Sequence, residues 1–319
     1  MTPERRSPVE VKRGHSSVVV NVIEAQEWIG EHVALDGTAA VVHVRPWSTV
    51  MRVPLVGGSV AWFKACAPVQ RFEPVLTAAL SRRWPEVMVE VIATDPDRGW
   101  LLMADAGTRI IEIDNPPEVW LRLLPHYAEL QRGEAARSGE HLESGVPDLR
   151  PNVLLERYEW LVGSELPLND HAQRRLREFA PALSRLCDEL AKAAIPSTVQ
   201  HDDLHMGNVY VRDDRVLVLD WGDASIGHPF WSLVVTFRFL EERNGLASGD
   251  PWFDRLRDAY LEPWGSGLRD VFDLALRVGI FAHAIAWLRQ RDHLPPTERP
   301  AFDAHYPVIL NRALARVAA

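Results

Sequence analysis

Cysteine is scarce in this chain, since Cys66 and Cys187 are the only two among 319 residues. Two cysteines are too few for a disulfide framework, and their separation does not suit a shared metal ion. Both are expected to be buried as small apolar residues, as free cysteines commonly are in the reducing cytosol. The scarcity argues against a disulfide-rich secreted domain and favours a cytoplasmic protein.

Positive charge and long apolar runs are also in short supply. The formal net charge is −9, whereas a nucleic-acid partner calls for a basic face. The longest apolar stretch, 278–288, is too short to span a bilayer, and the first residues lack the apolar core of a signal peptide. We therefore expect no nucleic-acid partner and no membrane, while nothing in the sequence indicates the oligomeric state.

Lysine is the third scarcity, because Lys12, Lys64 and Lys192 are the only lysines among 35 basic residues. Arginine serves almost everywhere else, so a lysine within an apolar strand needs a reason. Lys64 lies in an alternating segment in which Val60 and Trp62 share its face. An ammonium group there can act as a point charge on nucleotide phosphates. The alternative is an edge-strand lysine that discourages aggregation.

Carboxylates and histidines, by contrast, crowd into the stretch 198–224. Positions 201–208 read His-Asp-Asp-Leu-His-Met-Gly-Asn, and a short apolar segment then leads to Asp220. The pattern predicts a β-hairpin that brings Asp220 back beside Asp203 and Asn208. Kinases use such a set, with one aspartate as proton acceptor and with an asparagine and a second aspartate on Mg²⁺. The alternative is a solvated acidic turn, but the alternating apolar residues favour a half-buried magnesium-nucleotide site.

The remaining pattern predicts an α+β fold in two parts. A helix is expected over 24–34, and five short segments predict a small antiparallel sheet: 41–45, 50–53, 59–65, 87–93 and 99–103. A break at 103–107 marks a hinge, and apolar stripes with the helical period dominate after it. Pro125 is expected to kink or divide the first of those helices. We therefore predict an N-lobe over 1–105 and a helical C-lobe over 106–319.

The motif at 201–208, together with Asp220 and the tryptophan after it, resembles the aminoglycoside phosphotransferase and choline kinase family of protein-kinase-like small-molecule kinases. The resemblance implies a two-lobed protein-kinase-like fold, with a small five-stranded N-lobe and a larger, mostly helical C-lobe. It also implies roles for five side chains: Asp203 as the catalytic aspartate, Asn208 and Asp220 as Mg²⁺ ligands, and His201 and His205 as supports of the loop. The family usually has glycine at the position of Asp202, whose carboxylate either tightens the metal requirement or points to solvent.

The same resemblance extends to the nucleotide side. Lys64 takes the place of the third-strand lysine that pairs with ATP phosphates, and Glu73 is the candidate glutamate to hold it. Glu73 precedes a proline, which places it at a helix start, so a carboxylate that satisfies free N–H groups is an open alternative. No glycine-rich loop joins the first two strands, and Ser48 is the candidate to meet the phosphates instead. Met103 and Asp105 lie at the hinge, where backbone groups would read adenine.

The implied function is ATP- and Mg²⁺-dependent transfer of the γ-phosphoryl group to a hydroxyl of a small molecule of aminoglycoside, amino sugar or amino alcohol type. Pro229 comes only nine positions after Asp220, which leaves no room for the activation segment that docks peptides in protein kinases. The expected acceptor pocket lies between 170–194 and the helices of 231–287, with Asp223 available to meet an amino group. The alternative function is a nucleotide-binding pseudokinase that serves as a scaffold or sensor.

Overall fold

The computed structural model describes residues 20–247 and 249–317, and it has an α+β fold with two lobes. Residues 1–19 of the predicted N-lobe lie outside the described residues. The predicted five-stranded antiparallel sheet is confirmed, and the chain after it is mostly helical. The last strand of this sheet ends at Ala104, next to the boundary that the sequence predicts at residue 105.

The N-lobe consists of one sheet and two helices, one before the first strand and one between the third and fourth strands. Its elements are, in chain order, α1 (Val22–His32), β1 (Ala40–Arg45), β2 (Ser48–Pro54), β3 (Val60–Cys66), α2 (Glu73–Arg83), β4 (Val91–Asp95) and β5 (Trp100–Ala104). The spatial order of the strands is β1-β2-β3-β5-β4. Every neighbouring pair is antiparallel.

β3 lies in the middle of the sheet, between β2 and β5, so Lys64 is not on an edge strand. The alternative that Lys64 protects a sheet edge is therefore wrong. Phe63, the preceding residue, faces the N-lobe core, where its ring centroid lies 5.4 Å from that of Trp100 and 5.9 Å from that of Trp28 on α1. Because successive side chains of a strand point to opposite faces, Lys64 and Trp62 face away from this aromatic cluster.

The fourth strand begins later than the sequence predicts, at Val91 instead of residue 87. The apolar residues before it are used elsewhere, because the Val218 N–H donates to the Val87 carbonyl at 2.8 Å and Met88 forms a parallel bridge with Val218. Val87, Met88 and Val89 are all buried. An apolar β-type run thus serves two structures, the end of the N-lobe sheet and the hairpin that carries the predicted metal site.

The C-lobe combines helices with short strands. Its elements are, in chain order, β6 (Thr108–Arg109), α3 (Pro117–Glu134), α4 (Ser138–Glu143), α5 (Pro151–Gly163), α6 (Asp170–Lys192), β7 (Thr198–Gln200), β8 (Val209–Arg212), β9 (Arg215–Val218), β10 (Ser225–Gly227), α7 (Leu233–Asn244), α8 (Pro251–Leu261), α9 (Arg269–Asp292), α10 (Arg299–Asp303) and α11 (Tyr306–Val317). β8 and β9 form the predicted hairpin, with Val209 opposite Val218.

Pro125 does not divide the first C-lobe helix, which is continuous from Pro117 to Glu134. The expectation of a divided helix is therefore wrong. A proline inside a helix removes one backbone hydrogen bond, but the residues on both sides of Pro125 are anchored in the core. Trp120, Leu124 and Tyr127 are at most 1% exposed, and this burial holds the two halves of the helix in one line.

α9 is longer than the apolar stretch that the sequence analysis singled out. Over 24 residues it includes a window of mean hydropathy 1.6, so by length and composition it is the one helix of the described chain that could cross a membrane. However, 67% of that window is buried inside the protein. α9 packs against α5, α6, α7 and α11, as the core helix of a folded domain does.

The lobes are joined by a buried carboxylate, Glu134, at the end of α3. It accepts hydrogen bonds from Arg83 Nε at 2.7 Å and from Trp84 Nε1 at 2.7 Å, and His141 Nε2 lies 2.8 Å away. A Cβ atom at Gly133 would lie 2.2 Å from the Trp84 ring, so only glycine allows this approach. These contacts fix the C-terminal end of α2 on the C-lobe, and α2 begins with Glu73.

Candidate active site

Lys64 lies between two carboxylates, one from each lobe. Its Nζ atom is 2.6 Å from Glu73 Oε2 and 2.5 Å from Asp220 Oδ1. Glu73 is the first residue of α2 and is only 1% exposed. The sequence left two possibilities open for Glu73, a carboxylate that satisfies free N–H groups at a helix start or a partner of the lysine. The structure shows the second, since Glu73 begins α2 but its carboxylate accepts hydrogen bonds from Lys64 and Cys66. The pairing needs no residue from the middle of α2, because the helix starts directly beside β3.

The charges of this triad reinforce one another. Burial by itself would lower the pKa of Lys64, but Asp220 and then Glu73 raise it well above its ordinary value. Burial likewise works to raise the pKa of Asp220, but the nearby Lys64 ammonium lowers it. Asp220 also adopts a left-handed backbone conformation, with φ of +67°, and such strain in a residue other than glycine often marks a functional position. Lys64 and Asp220 are therefore a charged pair at neutral pH.

Cys66, two residues after Lys64, is buried as the sequence predicts. Its Sγ atom donates to Glu73 Oε2 at 3.2 Å, and burial raises the pKa of the thiol well above its ordinary value. The thiol is therefore a neutral neighbour of the triad. Burial raises the pKa of Glu73 as well, against the effect of Lys64. Cys187, on α6, is the second buried cysteine.

Asp203 and Asn208 lie together in the loop between β7 and β8. The Asn208 side-chain amide donates to the Asp203 backbone carbonyl at 3.0 Å, and His205 Nε2 lies 3.3 Å from Asp203 Oδ2. Burial works to raise the pKa of Asp203, but His205 lowers it below its ordinary value. The same contact raises the pKa of His205 against the effect of burial. Asp203 is therefore ionised at neutral pH and able to accept a proton.

His201 fixes the start of this loop from inside the protein. Its Nε2 atom lies 2.8 Å from the Leu219 carbonyl, and its Nδ1 atom accepts from the Asp203 N–H at 3.3 Å. The His201 backbone N–H donates to Tyr127 Oη at 3.1 Å, and that hydroxyl lies 2.8 Å from Ser232 Oγ. The contribution of Tyr127 was missed, because on a single sequence this tyrosine looks like any aromatic residue on the buried face of α3.

Asp202 does not point to solvent. It is 4% exposed, it has a φ of +59°, and its Oδ2 atom accepts from Ser225 Oγ at 2.5 Å. Burial raises the pKa of this carboxyl to about 7. The left-handed φ explains why glycine suits this position, since glycine adopts it without steric cost. The solvent alternative is wrong, because the carboxyl faces Ser225 inside the protein.

Oxygen donors beside the loop fit a Mg²⁺ ion. The Leu219 N–H donates to the Asn208 carbonyl at 2.9 Å, so Asn208 and Asp220 lie next to each other. Mg²⁺ is usually held by one or two protein carboxylates, with phosphates and waters completing its octahedron. Among residues 20–247 and 249–317 no group of three or more His, Cys, Asp or Glu could hold a metal by itself. This donor set suits an ion that arrives with a nucleotide.

The remaining predicted nucleotide contacts lie on the sheet and at the hinge. Ser48 is buried at the start of β2, opposite Cys66, and the β1–β2 turn before it contains only two residues. Met103 is buried near the end of β5, and Asp105 Oδ1 accepts from Trp62 Nε1 at 2.9 Å. An apolar cluster lies at this hinge, formed by Val89, Leu101, Met103, Ala106 and Leu217. Such a surface suits a purine ring, and the individual contacts stay predictions.

A cavity of about 490 Å³ lies between the segment that follows β3, α5 and α9. Its lining includes Asp223, Trp160 of α5 and Arg289 of α9. The tryptophans of the segment 231–287 do not line this cavity. Trp231 is 2% exposed, and three others pack against the core: Trp252, Trp264 and Trp287. Trp160 and Arg289 were missed, because each lies on a helix whose pattern indicates only core packing.

Comparison with known proteins agrees with this architecture. The sequence matches the phosphotransferase enzyme family over residues 76–275, more than half of the chain. No curated protein matches it. The structure resembles choline kinase LicA from Streptococcus pneumoniae, at 13% identity and a TM-score of 0.62, over 93% of this chain and 98% of that one.

Two antibiotic phosphotransferases have similar structures. Aminoglycoside 2'-phosphotransferase-IIIa, in a GDP complex, matches at 15% identity and a TM-score of 0.59, over 93% of this chain and 99% of that one. Macrolide 2'-phosphotransferase MphH from Brachybacterium faecium matches at 15% identity and a TM-score of 0.55, over 91% and 98%. Fold and site thus define a kinase-like phosphotransferase. The chain belongs to the phosphotransferase enzyme family, and it is a small-molecule kinase.

Proposed function

We propose that this protein transfers the γ-phosphoryl group of ATP, with Mg²⁺, to a hydroxyl of a small molecule of aminoglycoside, amino sugar or amino alcohol type. The observation that carries the proposal is the convergence of Lys64, Asp203, Asn208 and Asp220 at one cleft between the lobes. Family membership supports the reaction class. We further propose that the enzyme acts in the cytoplasm and needs no nucleic acid or membrane.

The residues divide the reaction between them. Asp203 accepts the proton of the acceptor hydroxyl. The oxygen of that hydroxyl forms a bond to the γ-phosphorus, and the bond between the γ-phosphorus and the β–γ bridging oxygen breaks, which releases ADP. Lys64, already charged and held by Glu73, neutralises phosphate oxygens of the nucleotide. Asn208 and Asp220 would hold Mg²⁺, which when bound offsets negative charge on the phosphates. His201 and His205 position the Asp203 loop, the first through Leu219 and the second at the carboxylate itself.

The short connection after Asp220 supports a small acceptor. β10 begins at Ser225, and Pro229 to Ser232 already form a helical turn that leads into α7. This leaves no segment on which a peptide could dock, whereas the 490 Å³ cavity beside Asp223 has the size of small-molecule sites.

Asp203→Asn tests the chemistry. Because the amide is nearly isosteric, we expect Mg-ATP to stabilise the variant against heat as it does the wild type. Turnover should fall about 10²- to 10⁴-fold, the usual cost of removing a positioned base. The assay is a coupled kinase measurement over aminoglycosides, amino sugars and amino alcohols, with ATP and GTP compared. Asp213→Asn is the matched control, since Asp213 is exposed in the β8–β9 turn.

Turnover of Asp203→Asn within a few-fold of wild type would contradict the role of this aspartate. Binding of Mg-ATP by the wild type, with no transfer to any small acceptor, would favour the pseudokinase. Efficient transfer to casein in place of every small molecule would overturn the acceptor class.

A further inference from the structure

We propose that the acceptor carries a carboxylate as well as its hydroxyl, and that Arg289 binds this carboxylate in the cavity beside Asp223. The inference rests on the proposed phosphotransfer, because it assigns the acceptor of that same site. Arg289 lies on α9 and lines the 490 Å³ cavity together with Asp223 and Trp160. Burial, and then the charges of Asp203 and Asp220, raise the pKa of Asp223 to about 7, so the lining of the cavity comes close to the reacting carboxylates. We therefore assign Arg289 to the acceptor side of the site and Lys64 to the nucleotide side.

The Arg289 guanidinium is incompletely satisfied by the protein. Its Nη1 atom donates to the Val69 carbonyl at 2.9 Å. Its Nη2 atom is buried and has no hydrogen-bond partner in the part of the chain that the structure describes. Asp223 and Asp202 act on the charge of Arg289, but within that same part of the chain neither forms an ion pair with it at 4.0 Å or less. A guanidinium that is largely withdrawn from water without an anion in direct contact is costly, so a ligand that supplies such an anion is favoured.

The acids that line or adjoin the cavity are engaged with other donors. Asp223 accepts from the Gln290 side chain at 2.5 Å, and Asp202 accepts from Ser225 Oγ at 2.5 Å. Asp148 holds Arg150 by two hydrogen bonds, of 2.9 and 2.7 Å. Each of these three acids therefore accepts hydrogen bonds from a donor other than Arg289. The cavity therefore presents one guanidinium whose charge the neighbouring acids influence without direct contact.

The rest of the cavity suits a small polyol or amino alcohol. Trp160 is 38% exposed, so its ring offers a face on which a sugar or an alkyl chain can pack. Arg157, one helical turn before it on α5, also lines the cavity. The planar guanidinium of Arg289 matches the two oxygens of a carboxylate, a geometry that a neutral hydroxyl cannot reproduce. A hydroxy amino acid or a sugar acid meets these requirements.

Matched acceptor pairs that differ by one carboxylate test the assignment. The pairs are serine and ethanolamine, homoserine and 3-aminopropanol, gluconate and sorbitol, and glucuronate and glucose. We expect kcat/KM for the carboxylated member of at least one pair to exceed that of its neutral partner roughly 10- to 100-fold, the range for a hydrogen bond to a charged group. Preference for the neutral member wherever transfer occurs would overturn the inference and leave the proposed phosphotransfer intact.

Substitutions of Arg289 assign the preference to this residue. In Arg289→Gln the ratio of kcat/KM within the preferred pair should fall to about one, and Arg289→Lys should retain part of it because the charge remains. Arg277→Gln is the matched control, since Arg277 is an exposed arginine on the same helix. Thermal stabilisation by Mg-ATP shows that each variant is folded. A ratio that survives in Arg289→Gln would overturn the role of Arg289.

A binding measurement separates failure of this inference from failure of the phosphotransfer. Carboxylated acceptors, added without nucleotide, should raise the melting temperature of the wild type but not of Arg289→Gln. Such a difference in a protein that transfers no phosphate would support the carboxylate site and refute the kinase reaction. Absence of any stabilisation of the wild type by the carboxylated acceptors would refute the site, whatever the outcome of the kinase assay.

Discussion

The two sides of the cleft differ in how their cations are paired. On the nucleotide side, Lys64 is paired with Glu73 and Asp220 at 2.6 and 2.5 Å. On the acceptor side, Arg289 has no carboxylate within 4.0 Å among the described residues, and Asp223 is held by an amide. Both cations have acids nearby, but only Lys64 has carboxylates in direct contact.

Under the proposed function, this difference follows from what each side binds. A nucleotide brings several negative charges and its own metal ion, so the protein must hold both signs in position before it arrives. Lys64 can leave Asp220 for a phosphate while Glu73 keeps its orientation. An acceptor with a single carboxylate brings only one charge, and a site that lacks it leaves a guanidinium unsatisfied, which penalises uncharged analogues. The nucleotide side is thus prepared by the protein and the acceptor side is completed by the ligand.

Asp220→Ala should give the largest effect, because it breaks the ion pair between Lys64 and Asp220 on the nucleotide side. The substitution removes one counter-charge of Lys64 and one of two candidate Mg²⁺ ligands. We expect no stabilisation by Mg-ATP at concentrations that saturate the wild type, together with loss of turnover by more than about 10³-fold, since metal and phosphate positioning supply most of the catalysis in phosphoryl transfer.

The acceptor side should be unaffected by the same change. Carboxylated acceptors should still stabilise Asp220→Ala against heat, which keeps the two sides distinguishable. Asp214→Ala, in the exposed β8–β9 turn, is the control for loss of an acid from the hairpin. Wild-type affinity of Asp220→Ala for Mg-ATP would mean that the two sides do not divide the charges as described.

The nucleotide side could be predicted from the sequence because its information is local. Asp203 and Asn208 are five positions apart in one loop, and the hairpin that returns Asp220 is short. The Glu73 partner was left open, since its pairing depends on how α2 docks against β3 and not on the residues around it. Arg289 could not be found, because 66 positions separate it from Asp223 and its helix carries the pattern of a core element.

The fold was predictable to a similar extent. Alternation and turns located all five N-lobe strands, and the helical period located α3, α6 and α9. The errors occurred where one pattern serves two purposes, as at Val87, or where packing outweighs a local preference, as at Pro125. Both are tertiary effects, and a single sequence does not encode them at the position where they act.

Glu134→Gln should have an intermediate effect, because it lowers stability and loosens the geometry of the nucleotide side. Burial favours the protonated form, but His141, Arg83 and Trp84 lower the pKa of Glu134 to about 2. The pKa of Glu134 is thus lower in the folded state than in the unfolded state, where it is about 4.5. Such a carboxyl stabilises the fold fully above pH 4.5, and this stabilisation is lost as the pH falls towards 2. We expect the variant to lose about 3 kcal/mol of unfolding free energy at pH 7.

Urea denaturation at pH 7 and at pH 3 checks this prediction, because the difference between wild type and Glu134→Gln should shrink at the lower pH. Glu129→Gln, an exposed position on the same helix, is the control. The variant should also bind Mg-ATP less tightly, since α2 then loses its anchor on the C-lobe and Glu73 its fixed position. An equal loss of stability at both pH values would show that the Glu134 charge does not join the lobes.

Asp202→Gly should have the smallest effect on activity, although it changes the residue next to Asp203. Glycine removes the cost of a φ of +59°, about 1 kcal/mol, and gives up the hydrogen bond from Ser225, also about 1 kcal/mol. At pH 5 the two nearly cancel. The folded-state pKa of Asp202, about 7, exceeds its unfolded value of 3.8, so folding favours the protonated carboxyl. Wild-type stability therefore declines as the pH rises from the unfolded pKa to the folded pKa.

The variant lacks this decline, so its melting temperature relative to wild type should increase from pH 5 to pH 8, while kcat stays within a few-fold. Asp202→Asn, which keeps a hydrogen-bonding side chain and the left-handed strain, separates the effect of charge from that of backbone freedom. Asp202→Asn should reproduce the changed pH dependence of the melting temperature without the gain in stability that glycine brings by relieving the backbone strain. A loss of Mg-ATP binding as severe as that of Asp220→Ala would instead make Asp202 a ligand and move it to the nucleotide side of the cleft.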